Sequence, residues 1–191
     1  MLGLGPDELG IVALSLHVAF VSVLCSLPLA IWIDYRLARF EFPGKTLIDA
    51  IVHLPLVLPP VVVGFALLVL FGKRGPIGGF LNDWFGIVFA FRWTGAALAS
   101  AIMGFPLMVR GIRLSIESID RRLEVAARTL GGSRLGVFFS ITLPLALPGI
   151  VTGTLLSFAR GLGEFVATIT FVSNIPGDTE TLPLASYTFP Q

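Results

Sequence analysis

The stretch that decides the fold is LEVAARTLGGSRLGVFFSITLPLALPGI, residues 123–150. It changes character within its own length. The first half carries Glu124, Arg128 and Arg134 around an Ala-Ala-x-x-x-Gly pattern, and from 137 to 159 no charged residue occurs. A bilayer core needs roughly 20 apolar residues per helical span. Residues 137–160 therefore read as a span, and the segment before them as a helix kept at the water boundary.

The same rule finds further spans upstream. Residues 9–33 carry no formal charge, 47–71 carry only Asp49 near the start, and 95–112 are uncharged through Val109. The chain is 55% hydrophobic and 13% charged, with a mean hydropathy of +0.91. The expectation is an all-α, polytopic transmembrane helical bundle, a single domain over 1–191 with about four to five spans present. The N-terminus, MLGLGPDELG, has no basic residue before the first apolar run, so a cleaved signal peptide is not expected. Cys25 stands alone, which excludes an internal disulfide.

Basic residues near span ends mark the cytoplasmic side. Arg36, Arg39 and Lys45 follow the first span, and Arg110, Arg113, Arg121, Arg122, Arg128 and Arg134 follow the third; only Lys73, Arg74 and Arg92 lie between the second and third. This count predicts an external N-terminus and a cytoplasmic 110–136 segment. Residues 72–93 are then external, with WFGIVFAFRW (84–93) an interfacial element that holds Trp84 and Trp93 near headgroup depth. The polar 165–191 segment, with turn formers Asn174, Pro176, Gly177 and Asp178, is expected to be an external loop.

On the cytoplasmic side Ile112, Ile116, Ile119, Leu123, Ala126 and Leu130 recur every three or four residues, one apolar stripe on a helix. Glu117–Arg121 and Glu124–Arg128 on the other face are i,i+4 pairs with the acid first, the favoured order. Asp120 suits the cap of a shorter helix starting at Arg121, and Gly131-Gly132 suits a left-handed stop. A helix over about 116–131 is expected. Its stripe either lies on the membrane surface or fills a groove in a partner. Ala126 and Ala127 favour the partner, because small side chains insert little into lipid but let a backbone approach closely.

Ala126-Ala127, three residues, Gly131, nine residues, then Ile141-x-Leu143-Pro144 resembles the cytoplasmic EAA loop of ABC importer permeases. The resemblance implies a type I ABC importer permease-like bundle. It also implies an ATPase-coupling helix carried by Leu123, Glu124, Ala126, Ala127, Leu130, Gly131, Leu143 and Pro144. The family's glutamate commonly directly precedes the two alanines, where this chain has Val125; Glu124 is one position earlier, about 100° away around a helix. FPGK (42–45), HLPLVLPPVVVG (53–64), GEFVATITFVSNIPG (163–177) and TLPLASYT (181–188) look like the molybdate permease branch, although Val166 stands where that branch usually has glycine. The family continues into one more span beyond the external loop, so a last span is expected to be missing here.

The resemblance implies a cytoplasmic ABC ATPase dimer, an external or periplasmic substrate-binding protein, a second permease copy and an oxyanion substrate, molybdate or else tungstate or sulfate. The surrounding membrane lipid is a further partner, and no nucleic acid is expected. ATP and Mg belong to the partner ATPase. No G-x-x-x-x-G-K-[ST] occurs in this chain, and two histidines with one cysteine offer little for a metal site. No catalytic residue is expected.

Gly149, Gly153, Ser157 and Gly161 share one face of the fourth span, suited either to helix packing or to a pathway at a subunit interface. Prolines at 55, 59, 60, 106, 144 and 148 each remove a helical hydrogen bond and favour a kink. Arg160 and Glu164 fall i,i+4 at membrane depth, where ionisable groups are paired or functional. With Thr168, Thr170, Ser173 and Asn174 they form the candidate translocation pathway or gate. His17 and His53 read as isolated packing residues. A secondary transporter is the rival class, and it would need buried carboxylates for ion coupling.

Overall fold

The computed structural model describes residues 6–175 and 179–188. The described elements are helical throughout, as the hydropathy pattern predicts. They are α1 Pro6–Arg39, α2 Lys45–Val57, α3 Pro60–Phe71, α4 Pro76–Phe85, α5 Trp93–Ser118, α6 Arg121–Thr129, α7 Arg134–Val137, α8 Leu143–Leu162, α9 Val166–Val172 and α10 Leu182–Thr188. A π turn over Phe138–Thr142 joins α7 to α8. Three continuous helical stretches are long and apolar enough to span: Leu9–Arg39, Trp93–Ser118 and Arg134–Leu162; α2 and α3 together make a fourth candidate.

That fourth candidate is not the straight span expected over 47–71. α2 and α3 meet at 115°. A residue before proline is forced out of the helical region by the proline ring. Two prolines in a row therefore extend two residues in a row, Leu58 (ψ 141°) and Pro59 (ψ 136°). Pro60 then starts α3 at the one place where its missing N–H costs nothing. The third span also exceeds its expected bounds of 95–112, running unbroken from Trp93 to Ser118 with Pro106 inside it.

The core is built on close approach between α5 and α8. A side chain on Gly111 would stand 2.8 Å from the Cα of Gly153, and one on Gly153 would stand 2.6 Å from the carbonyl oxygen of Met108. Only glycine permits backbones this near, which is how membrane helices associate without a hydrophobic drive between them. The small face of α8 (Gly149, Gly153, Ser157 and Gly161, all buried) is thus occupied by α5, or for Gly161 also by α1, of the same chain. Large side chains on other faces, such as Phe20, Leu24, Phe65 and Leu155, are exposed and suited to lipid.

Residues 165–191 are not simply the external loop expected from their polarity. Residues 166–172 form α9, with Ala167, Phe171 and Val172 fully buried. α9 packs on α3 and α5: the Cβ that Gly64 lacks would fall 2.6 Å from the Ala167 carbonyl oxygen. The backbone N–H of Leu182, at the start of α10, donates to Ser15 Oγ on α1 at 2.7 Å. Pro176, Gly177 and Asp178, read as turn formers, lie outside the described residues.

Candidate functional site

The apolar stripe from Ile112 to Leu130 does not run along one helix. It divides at Ile119 and Asp120, both extended (ψ 126° and 119°), and α6 starts afresh at Arg121. Ile112, Ile116 and Ile119 go into the core. Residues 116–118 therefore belong to α5, and α6 is shorter than the 116–131 helix expected. Its ends follow local chemistry. Asp120 caps the start by accepting from the Arg122 N–H at 2.9 Å, satisfying a donor that the first helical turn leaves orphaned. Gly131, at φ +90°, closes the end, and the Gly132 N–H donates to the Ala127 carbonyl at 3.0 Å.

The packing of α6 inverts the usual order. Leu130 is 89% exposed, and Leu123, Val125 and Ala126 are exposed too, while Glu124 is buried. Ala127 is half-buried. The expected surface pairs Glu117–Arg121 and Glu124–Arg128 are replaced by long-range partners. Arg39, at the end of α1, donates from Nε to Glu124 Oε1 at 3.0 Å and from Nη2 to the Ile119 carbonyl at 3.2 Å. Thr142, in the π turn, donates to the same Glu124 oxygen at 2.8 Å. Arg121 donates to the Ala38 carbonyl at 3.0 Å. A buried carboxylate is costly unless paired and hydrogen-bonded, and Glu124 is both. α6 is thus riveted to the ends of α1 and α8 by its acidic side and offers its apolar side outward. Leu143, half-buried, and Pro144, exposed, open α8 directly above Thr142.

Arg160 and Glu164 come together as their spacing implies. Nη1 lies 2.7 Å from Oε2, with side chains 30% and 2% exposed. The other Glu164 oxygen accepts from the Ala167 N–H at 2.9 Å, so the same carboxylate starts α9. Thr168 is buried, and its hydroxyl makes no hydrogen bond. Thr170 instead donates back to its own helix, at the Val166 carbonyl, 2.7 Å. Ser173 is exposed at φ +64°, ψ −175°, a region costly for any residue but glycine. Its carbonyl is held by the Thr179 hydroxyl at 3.0 Å, and that hydroxyl also accepts from the Ile175 N–H at 2.8 Å. Asn174 is half-buried beside it.

One charged cluster was not assembled from the sequence. Arg113 on α5 lies 2.5 Å from Asp49 of α2 and 3.5 Å from Asp34 of α1, whose side chain is wholly buried. His53 is not the isolated residue expected: its Nδ1 is 2.9 Å from the Asp49 carbonyl oxygen and 3.4 Å from Asp49 Oδ1. The signal available was modest, an acid near the end of one apolar run and another near the start of the next. His17 packs at 4.9 Å against Trp93.

The family described as the binding-protein-dependent transport system inner membrane component matches residues 22–190. The chain is 64% identical over 180 residues to the molybdenum transport system permease protein ModB of Escherichia coli (strain K12), covering 94% of this chain and 79% of that protein. It is 37% identical over 179 residues to the sulfate transport system permease protein CysT of Salmonella typhimurium, covering 94% of this chain and 64% of that one. Its fold matches a chain of a bacterial alginate ABC transporter, solved in complex with its alginate pentasaccharide-bound periplasmic protein, with a TM-score of 0.71 at 20% identity over 96% of this chain and 66% of that one. With spanning helices, a capped amphipathic α6 between two of them and a family match over most of its length, the chain belongs to the inner membrane components of binding-protein-dependent transport systems.

Proposed function

We propose that this chain is the permease subunit of an ABC importer and carries molybdate, or the closely similar tungstate, across the cytoplasmic membrane. A homodimer would enclose the pathway, with an external binding protein delivering the anion. Two cytoplasmic ATPase subunits would hold the ATP and Mg. The N-terminus would lie outside and 110–136 in the cytoplasm.

The observation that carries this reading is α6. A nine-residue helix that buries its glutamate and exposes Leu123, Ala126 and Leu130 outside the spans is built to receive a partner surface. In the proposed cycle ATP binding draws the two α6 helices together. The Arg39–Glu124–Thr142 network passes that displacement to α1 and α8, and the kinked spans change their packing. Coupling of this kind needs partner contacts that differ between the two states, and a riveted helix end supplies a stiff path for them. Arg160 would stand along the anion's path, positioned by Glu164. The hydroxyls of Thr168, Thr170 and Ser173 with the Asn174 amide would add neutral groups that release the anion again.

Sulfate is the second reading, supported by the likeness to the sulfate permease. The test is ATPase activity of the full transporter in proteoliposomes with its binding protein, titrated with molybdate, tungstate and sulfate. Stimulation strongest with molybdate or tungstate is expected. Stimulation by sulfate alone overturns the substrate, and no stimulation by any of them overturns the import reading.

A further inference from the structure

We propose that the groove between α1 and the α7–π-turn segment binds one anionic phospholipid from the leaflet on the α6 side. The groove has a volume of about 570 Å³, within the range of ordinary ligand sites. Its walls are the ends of two candidate spans, Leu9–Arg39 and Arg134–Leu162. Along α1 it runs from Pro28 to Phe40, about 18 Å at 1.5 Å per residue.

Polarity in the groove is ordered along that length. Pro28 and Leu143 line the deep end, toward the middle of the spans. Tyr35 and Phe138 stack at 4.7 Å across the middle and join its two walls. Arg36 and Arg134 stand at the same outer end, at the mouth. Neither guanidinium has an acidic partner among the described residues; Arg36 lies instead over the rings of Trp32 and Phe40, at 5.6 and 5.5 Å. Trp32 and Phe139 on the rim are 59% and 62% exposed. An apolar channel that opens on two unpaired cations at the membrane boundary matches an acyl chain below a negative headgroup. Basic pockets between helices at this depth select anionic lipid. A protein segment would supply the apolar part and leave both charges unmet.

The experiment uses the assembled transporter, permease with ATPase, purified from membranes and exchanged into nanodiscs of phosphatidylcholine. Retained phosphatidylglycerol is counted by mass spectrometry in the wild type, in Arg36→Gln/Arg134→Gln, and in Arg110→Gln, an exposed arginine outside this groove. The wild type and Arg110→Gln are expected to keep phosphatidylglycerol, and the double variant to lose its preference by about 30-fold. Equal retention in all three overturns the proposal, as does a wild type that retains none. Should the double variant fail to assemble, brominated lipids decide on the wild type against Trp32→Phe. Quenching of the Trp32 emission is expected to be stronger by phosphatidylglycerol than by phosphatidylcholine, and equal quenching overturns the site.

Discussion

Arg39 and Glu124, 85 positions apart in the chain, meet at 3.0 Å with side chains only 5% and 7% exposed. This contact joins the last turn of α1 to a helix that otherwise touches little. Removing one partner of such a pair leaves a buried charge alone, which costs about 3–5 kcal/mol, whereas replacing both with apolar groups is often close to neutral. Glu124→Ala is therefore expected to lower the thermal unfolding midpoint of the purified permease more than Arg39→Met/Glu124→Leu does. Equal losses in the two would mean that the pair contributes nothing specific.

The same pair sits between α6 and the spans. In proteoliposomes, Arg39→Met/Glu124→Leu is expected to assemble with the ATPase yet transport fewer anions per ATP hydrolysed. An unchanged ratio would remove the network from the coupling path.

Gly153 faces the Met108 carbonyl oxygen so closely that any side chain must push α5 and α8 apart. Overpacking of this kind costs about 1–3 kcal/mol. Gly153→Ala is expected to lower the unfolding midpoint clearly, while Leu155→Ala, on an exposed face of the same helix, changes it little. A Gly153→Ala variant as stable as the wild type would show that the two helices are not held at this spacing.

Arg160 tests structure against pathway. Arg160→Ala strands the buried Glu164 and is expected to reduce both stability and uptake. Arg160→Met/Glu164→Gln removes both charges, and stability is expected to recover while uptake does not. Recovery of uptake along with stability would assign the pair to packing alone.

The parts of this fold that were legible in the sequence are local ones. Asp120 and Gly131 mark both ends of α6 because caps act over three or four residues. The apolar runs mark the spans because each must satisfy its own backbone in lipid. Pro59-Pro60 announces a break but not its size, which depends on how α3 packs against α9. Glu124 read as a surface charge because its partners, Arg39 and Thr142, come from distant elements. Residues 166–172 read as loop because Thr168 and Thr170 are polar and a helix of seven residues has no period to display. Tertiary contacts with Gly64 decide it instead. The same holds for Asp34, Asp49 and Arg113, which three separate helices bring together.

The docking role of α6 is tested most directly by single-cysteine labelling at Leu130, which is 89% exposed. With Cys25→Ser as background, Leu130→Cys is treated with a membrane-impermeant maleimide in inside-out vesicles, with and without the ATPase subunits. Asp83→Cys, exposed on α4, serves as the control for the opposite side. The account predicts that Leu130→Cys is labelled rapidly in the permease alone and protected at least tenfold once the ATPase assembles, as expected for a residue at an interface centre. Asp83→Cys should react only in right-side-out vesicles, whether or not the ATPase is present. Labelling of Leu130→Cys at one rate with and without the ATPase would contradict the account.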